Sequence, residues 1–143
     1  MHDSSDLKGA VSSFRTAPYW FIACKGRTLK KKPVAVRLWG QGLVLFRDEK
    51  GKPQALLDRC AHRNVPLSEG VCVEGRIQCP YHGWEFSGSG ECEKVPALRD
   101  FSPGQAHRVP SFEACESQGY VWIYTQADTK AHCSPYQFPH LDD

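Results

Sequence analysis

Apolar and polar positions along this chain alternate in short bursts broken by turn residues, and no stretch keeps the three-to-four spacing of an amphipathic helix long enough to predict one. Residues 19–24 form a compact aromatic and apolar run. Residues 33–39 and 43–47 flank the turn Gly40-Gln41-Gly42, and Asp48-Glu49-Lys50-Gly51-Lys52 separates 43–47 from another apolar run at 54–57. That succession predicts a β-meander. Further strands are expected at 76–79, 84–87, 108–115 and 120–125, with the first two bracketing a short loop. The expected fold is all-β, a small sandwich or barrel.

Composition adds limits to this picture. The 143 residues are 41% hydrophobic and 24% charged, ordinary usage for one small domain with one core. A formal net charge of +2 is too small to point to nucleic acid. No apolar run approaches the roughly 20 residues of a membrane helix, and the first ten residues lack the apolar stretch of a signal peptide. A cytoplasmic protein with neither a membrane nor a nucleic-acid partner is the expectation. Of seven cysteines, Cys24, Cys72, Cys92, Cys115 and Cys133 show no paired spacing, and in a reducing compartment they are expected to be small buried hydrophobes. The basic run Lys25, Arg27, Lys30, Lys31 and Lys32 reads either as a solvated loop or as a steering surface for an acidic partner.

The chemistry concentrates in two short segments. Cys60-Ala61-His62 is followed, after sixteen residues, by Cys79-Pro80-Tyr81-His82-Gly83-Trp84. A structural zinc finger groups its ligands as a cysteine pair and then a histidine pair, whereas here each loop supplies one thiolate and one imidazole. Two loops of that kind suit a cluster with two unlike ends, one iron held by thiolates and the other by imidazoles. Iron and zinc share these ligand types, so residue types alone leave a zinc-stabilised binding module open. The candidate ligands are Cys60, His62, Cys79 and His82.

Cys60-Ala61-His62-Arg63 and Cys79-Pro80-Tyr81-His82-Gly83-Trp84 resemble the paired loops of Rieske iron-sulfur domains. Leu45-Phe46-Arg47-Asp48 before them and Gly119-Tyr120-Val121-Trp122 after them resemble the Rieske non-haem iron oxygenases in particular. The resemblance covers about residues 14–126, with a polar extension at 1–13 and the start of a linker at 127–143. It implies a 2Fe-2S cluster held between two loops at one tip of a small β-sandwich or barrel. It implies that the added electron sits on the histidine-ligated iron, near the surface. Gly83 would take backbone angles that are costly for other residues.

Two features of the resemblance separate subtypes. Respiratory Rieske proteins carry an additional disulfide where this chain has Val65 and Tyr81, and they offer hydroxyls where it has Trp84 and Phe86. Fewer donors to the sulfur predict a potential near the low end of the Rieske range. The family's oxygenases have a second domain in which two histidines and a carboxylate bind a mononuclear Fe(II). After the motif the chain has only His107, His132 and His140; His132 and His140 lack that spacing and are expected to be surface or linker histidines. The implied function is electron transfer, from a reductase or ferredoxin to the mononuclear iron of a catalytic domain, in the same longer protein or a neighbouring subunit. A stand-alone Rieske ferredoxin is the alternative.

Overall fold

The structure, a computed structural model, describes residues 19–61, 65–81, 83–95 and 108–139. The extension 1–13 and the histidines at 62, 82, 107 and 140 lie outside the described residues. The described residues contain ten strands and no α-helix: β1 Trp20–Lys25, β2 Val34–Leu38, β3 Gln41–Arg47, β4 Pro53–Leu57, β5 Val71–Val73, β6 Arg76–Gln78, β7 Glu85–Phe86, β8 Cys92–Lys94, β9 Ser111–Ser117 and β10 Tyr120–Ala127. All pairings are antiparallel. One sheet has the order β1-β10-β9-β4-β3-β2, and its outer strands β1 and β2 come round to face each other, so the sheet nearly closes into a barrel. A smaller sheet, β5-β6-β7-β8, carries the ligand loops.

The central strand β3 explains how the two sheets share a core. Leu43, Val44, Leu45 and Phe46 are all fully buried, which an antiparallel strand shows only when both of its faces are covered. Leu43 and Leu45 point into the curl of the large sheet, against Ala55, Phe112, Val121 and Ile123. Val44 and Phe46 point the other way, into a second core with Leu56, Leu67, Ile77 and Phe86. Cys60, Cys79 and Cys92 belong to that second core. The alternation of β3 therefore places Cys60 and Cys79 against the back of the large sheet. Each side chain so buried contributes about 1.5–3 kcal/mol.

Three hairpins turn on a bulky or polar residue followed by glycine, both at positive φ: Trp39-Gly40 (41° and 77°), Glu74-Gly75 (50° and 79°) and Gln118-Gly119 (52° and 83°). Two-residue loops of this kind match the right-handed twist of the strands they join. They also correct the sequence reading. The turn after β2 is Trp39-Gly40, and Gln41 and Gly42 already belong to β3, opposite Leu38 and Arg37. Glu74-Gly75 joins β5 to β6, a hairpin that the sequence reading passed over, as it did β8. The strand expected from 108 starts at Ser111.

The segments that carried the resemblance outside the ligand loops have plain structural duties. Arg47 donates through Nε to the Leu29 carbonyl at 2.6 Å and through Nη2 to the Gly26 carbonyl at 2.9 Å, and pairs with Glu116 at 2.8 Å, which fastens the basic loop onto β3 and β9. Asp48 accepts the amides of Lys50 and Lys52 at 2.9 Å each and so holds the turn before β4. After β10 the chain folds back on the large sheet. The Trp20 indole donates to the Cys133 carbonyl at 2.8 Å, Phe138 exchanges backbone bonds with the Gln118 side chain, and its ring packs 6.0 Å from that of Trp122.

Candidate metal centre

The first ligand loop leaves β4 after Leu57 and returns through a 3-10 turn at Leu67–Glu69, while the second joins β6 to β7. Both close in the same way. The Cys60 amide donates to the Val65 carbonyl at 2.8 Å, and the Cys79 amide donates to the Trp84 carbonyl at 2.7 Å. In each case a cysteine is bonded across its loop to the residue five positions later. Gly83 stands at φ 71°, the left-handed region that glycine enters without penalty, as expected.

These closures turn the two cysteines toward one another. Each is 1% exposed, and both stand in the same buried core, close enough that each thiol bears on the other's ionisation. The Tyr81 amide is directed at Cys79 Sγ, 3.4 Å away. Burial pushes the Cys79 thiol up to about 11; the Tyr81 amide opposes the shift, and the adjacent Cys60 adds to it. Two thiolates packed together out of water need positive charge between them, which is what a metal centre supplies. The described part of the site therefore fits a thiolate-bound metal group. His62 and His82, the other two candidate ligands, lie outside the described residues. Among the described residues no group of three or more His, Cys, Asp or Glu side chains gathers to hold a metal.

Val65, at a position where the respiratory subtype has cysteine, packs against the same core as Trp84. Tyr81, at the other, is 41% exposed. All seven cysteines are free. Cys92 is the buried small hydrophobe expected of it, its thiol pushed up to about 11, chiefly by burial. Cys24, Cys72 and Cys115 are half-buried, whereas Cys133 is exposed, contrary to expectation, because the returning segment carries it along the outside of the large sheet. His132 is exposed, as expected.

Sequence reasoning missed the residues beneath the ligand loops. Ser68 donates its amide and hydroxyl to Asp58, and Glu85, only 3% exposed, is bonded to Arg76 and Gln78. Gly70 sits so close to Gln78 that a Cβ there would collide with the Gln78 carbonyl oxygen. A lone acid between the apolar residues Trp84 and Phe86 was the available signal for Glu85.

The family described as the Rieske [2Fe-2S] domain matches residues 19–113. The chain belongs to the Rieske family. This Rieske domain is 42% identical over 107 residues to chlorophyllide a oxygenase of Chlamydomonas reinhardtii, covering 74% of this chain and 16% of that protein. It is 39% identical over 105 residues to the oxygenase component of dicamba O-demethylase from Stenotrophomonas maltophilia, covering 73% of this chain and 31% of that protein. Among solved structures, dicamba monooxygenase with non-haem iron and dicamba superimposes with a TM-score of 0.77 at 34% identity, over 87% of this chain and 38% of that one. The chain thus spans less than a third of the length of these two curated relatives. It is a Rieske domain of the oxygenase type, and the ferredoxin alternative gives way to that reading. Among the described residues, no helix is long and apolar enough to cross a membrane.

Proposed function

We propose that this Rieske domain carries electrons within an oxygenase, with Cys60, His62, Cys79 and His82 as the four ligands of a 2Fe-2S cluster. The observation that carries the proposal is that two buried cysteines, from loops closed by the same amide-to-carbonyl bond, share one core. Bound there, a Rieske cluster accepts and releases a single electron. The chain's own part is to prepare the place. The second core keeps water from Cys60 and Cys79, and the Tyr81 amide offers a hydrogen bond to Cys79 Sγ that favours its thiolate form.

In this reading electrons come from a reductase or ferredoxin and leave for a mononuclear iron in the catalytic part of a longer protein, on the same or a neighbouring subunit. The basic run supports an acidic donor. Lys30, Lys31 and Arg47 line a groove of about 480 Å³ together with Asp48 and Glu74, and Lys31 and Lys32 continue it, with no acid beside them, past Ser68 and Gly70, where the first ligand loop returns. Positive charge at that place would raise the rate of encounter with an acidic protein. Cytoplasmic location belongs to the same proposal, and relatives described as chloroplastic weigh against it.

The test is the metal content. Anaerobically purified or reconstituted protein is expected to hold two irons and two acid-labile sulfides per chain. Its reduced form is expected to show an EPR signal with average g below that of all-thiolate clusters. Stoichiometric zinc with no such signal would overturn the proposal.

A further inference from the structure

Each ligand loop is fastened a second time, outside the closure made by its cysteine, and in both cases by a carboxylate. Asp58 accepts the Ser68 amide through Oδ1 at 2.7 Å and the Ser68 hydroxyl through Oδ2 at 2.6 Å, so residues 58 and 68 grip the base of the loop that holds Cys60. Around the other loop, Gln78 and Glu85 are backbone partners. The Gln78 amide group donates to Glu85 Oε2 at 3.1 Å, and Arg76 donates through Nε to Oε1 at 2.9 Å. Residues 78 and 85 thus grip the base of the loop from Cys79 to Trp84.

The two grips touch. Gly70, two residues after Ser68, packs its Cα against the Gln78 carbonyl with no room for a side chain. A continuous line therefore runs beneath the site, from Asp58 through Ser68 and Gly70 to Gln78, Glu85 and Arg76. A carboxylate as buried as Glu85 is costly unless paired and hydrogen-bonded, and an apolar pair would serve packing alone at least as well. What a satisfied polar network adds is a single allowed arrangement of the groups that it joins. Here those groups are the two loop bases whose relative position decides whether Cys60 and Cys79 meet.

We propose that Asp58 and Glu85 are the positioning residues of the metal centre, holding the bases of the two ligand loops in the one register that brings Cys60 and Cys79 together. The proposal rests on the Rieske reading of the site. In metal sites, residues that orient the ligands change affinity by about 10–100-fold when they are removed.

The full chain, reconstituted anaerobically with iron and sulfide, is compared with Asp58→Ala, Asp58→Asn, Glu85→Ala, Ser68→Ala and Gln78→Met. Asp58→Ala and Glu85→Ala are expected to lose cluster to a chelator at least about tenfold faster than wild type, with broadened EPR lines. Asp58→Asn keeps an acceptor for the Ser68 amide and is expected to recover most of the retention. Ser68→Ala and Gln78→Met each delete one donor and leave the backbone alone, so they are expected to melt close to wild type while the midpoint potential and line shape shift. If the alanine variants do not fold, these two milder variants decide the matter. Wild-type retention, midpoint and line shape in Ser68→Ala and Gln78→Met would overturn the positioning role. Failure of the wild-type chain to take up a cluster would instead remove the Rieske reading, and this proposal with it.

Discussion

Replacing Gly70 by alanine tests the contact that joins the two ligand loops. The Gly70 backbone, at φ −89° and ψ −154°, is open to any residue, so the substitution carries no conformational strain of its own. The new methyl group would instead overlap the Gln78 carbonyl oxygen, a backbone atom that cannot swing aside as a side chain can. Inserting a methyl into a packed contact costs about 1–3 kcal/mol. Parting the strands also weakens the bond from the Gly70 amide to the Leu67 carbonyl, now 2.9 Å, for about 1 kcal/mol more. The total, about 2–4 kcal/mol, would lower the melting temperature by roughly 5–15 °C in a domain of this size. Gly119→Ala is the control: Gly119 stands at φ 83° with open space around it, so alanine there costs only the backbone strain, about 1–2 kcal/mol, far from the loops. Thermal unfolding with parallel iron and sulfide analysis separates the two, since both variants should lose stability but only Gly70→Ala should lose cluster. A Gly70→Ala protein with wild-type melting and full iron content would refute the claim that this close approach holds the loops together.

Two further predictions concern the site and its support. Phe86 is fully buried in the same core as Cys60 and Cys79, so the hydroxyl of Phe86→Tyr either reaches sulfur or is stranded. If it reaches sulfur, the midpoint should rise from its expected wild-type value of roughly −150 mV by about 59 mV per 1.4 kcal/mol; if stranded, stability should fall by about 1–3 kcal/mol with no change in midpoint. Protein-film voltammetry would show which, and a wild-type midpoint above zero would contradict the low-potential reading. Burial pushes the Asp128 carboxyl up, but its bonds to Arg108 at 2.7 Å and to the Ser111 amide at 3.1 Å outweigh that and hold it below the usual range. A depressed carboxylate stabilises the fold above its unfolded pKa, about 3.9, and the contribution is lost as pH falls through the folded value. The difference in melting temperature between wild type and Asp128→Asn should therefore be constant from pH 8 to about pH 5 and close below about pH 4; a difference that persists in acid would contradict this.

Much of the fold follows from local pattern, because a strand announces itself within five to seven residues. Among the described residues, eight of the ten strands, the lack of an α-helix and the two ligand loops were readable in that way, and Gly83 was readable as a residue able to take positive φ. Cys60 and Cys79 were identified by spacing and residue type, which is chemistry written directly in the chain, and the absence of cysteine at positions 65 and 81 was equally plain. The shorter hairpin strands β5 and β8 were missed: three residues carry too little alternation, and the Glu74-Gly75 turn that defines β5 places glutamate at positive φ, where its type gives no warning. The same is true of Trp39.

What only the tertiary structure decided is everything that depends on register between distant strands. The partners of Glu85 come from the pairing of β6 with β7, which sets Arg76 and Gln78 beside it. The need for glycine at 70 comes from the Gln78 backbone that lies against it. The sequence by itself determined which candidate residue types for a metal stand in two short segments. That Cys60 and Cys79 face each other in a dry core was decided by the alternation of β3, which is buried on both faces, and by contacts between residues far apart in the chain. Such contacts obey distance and packing, which no local pattern of hydrophobic and polar residues encodes.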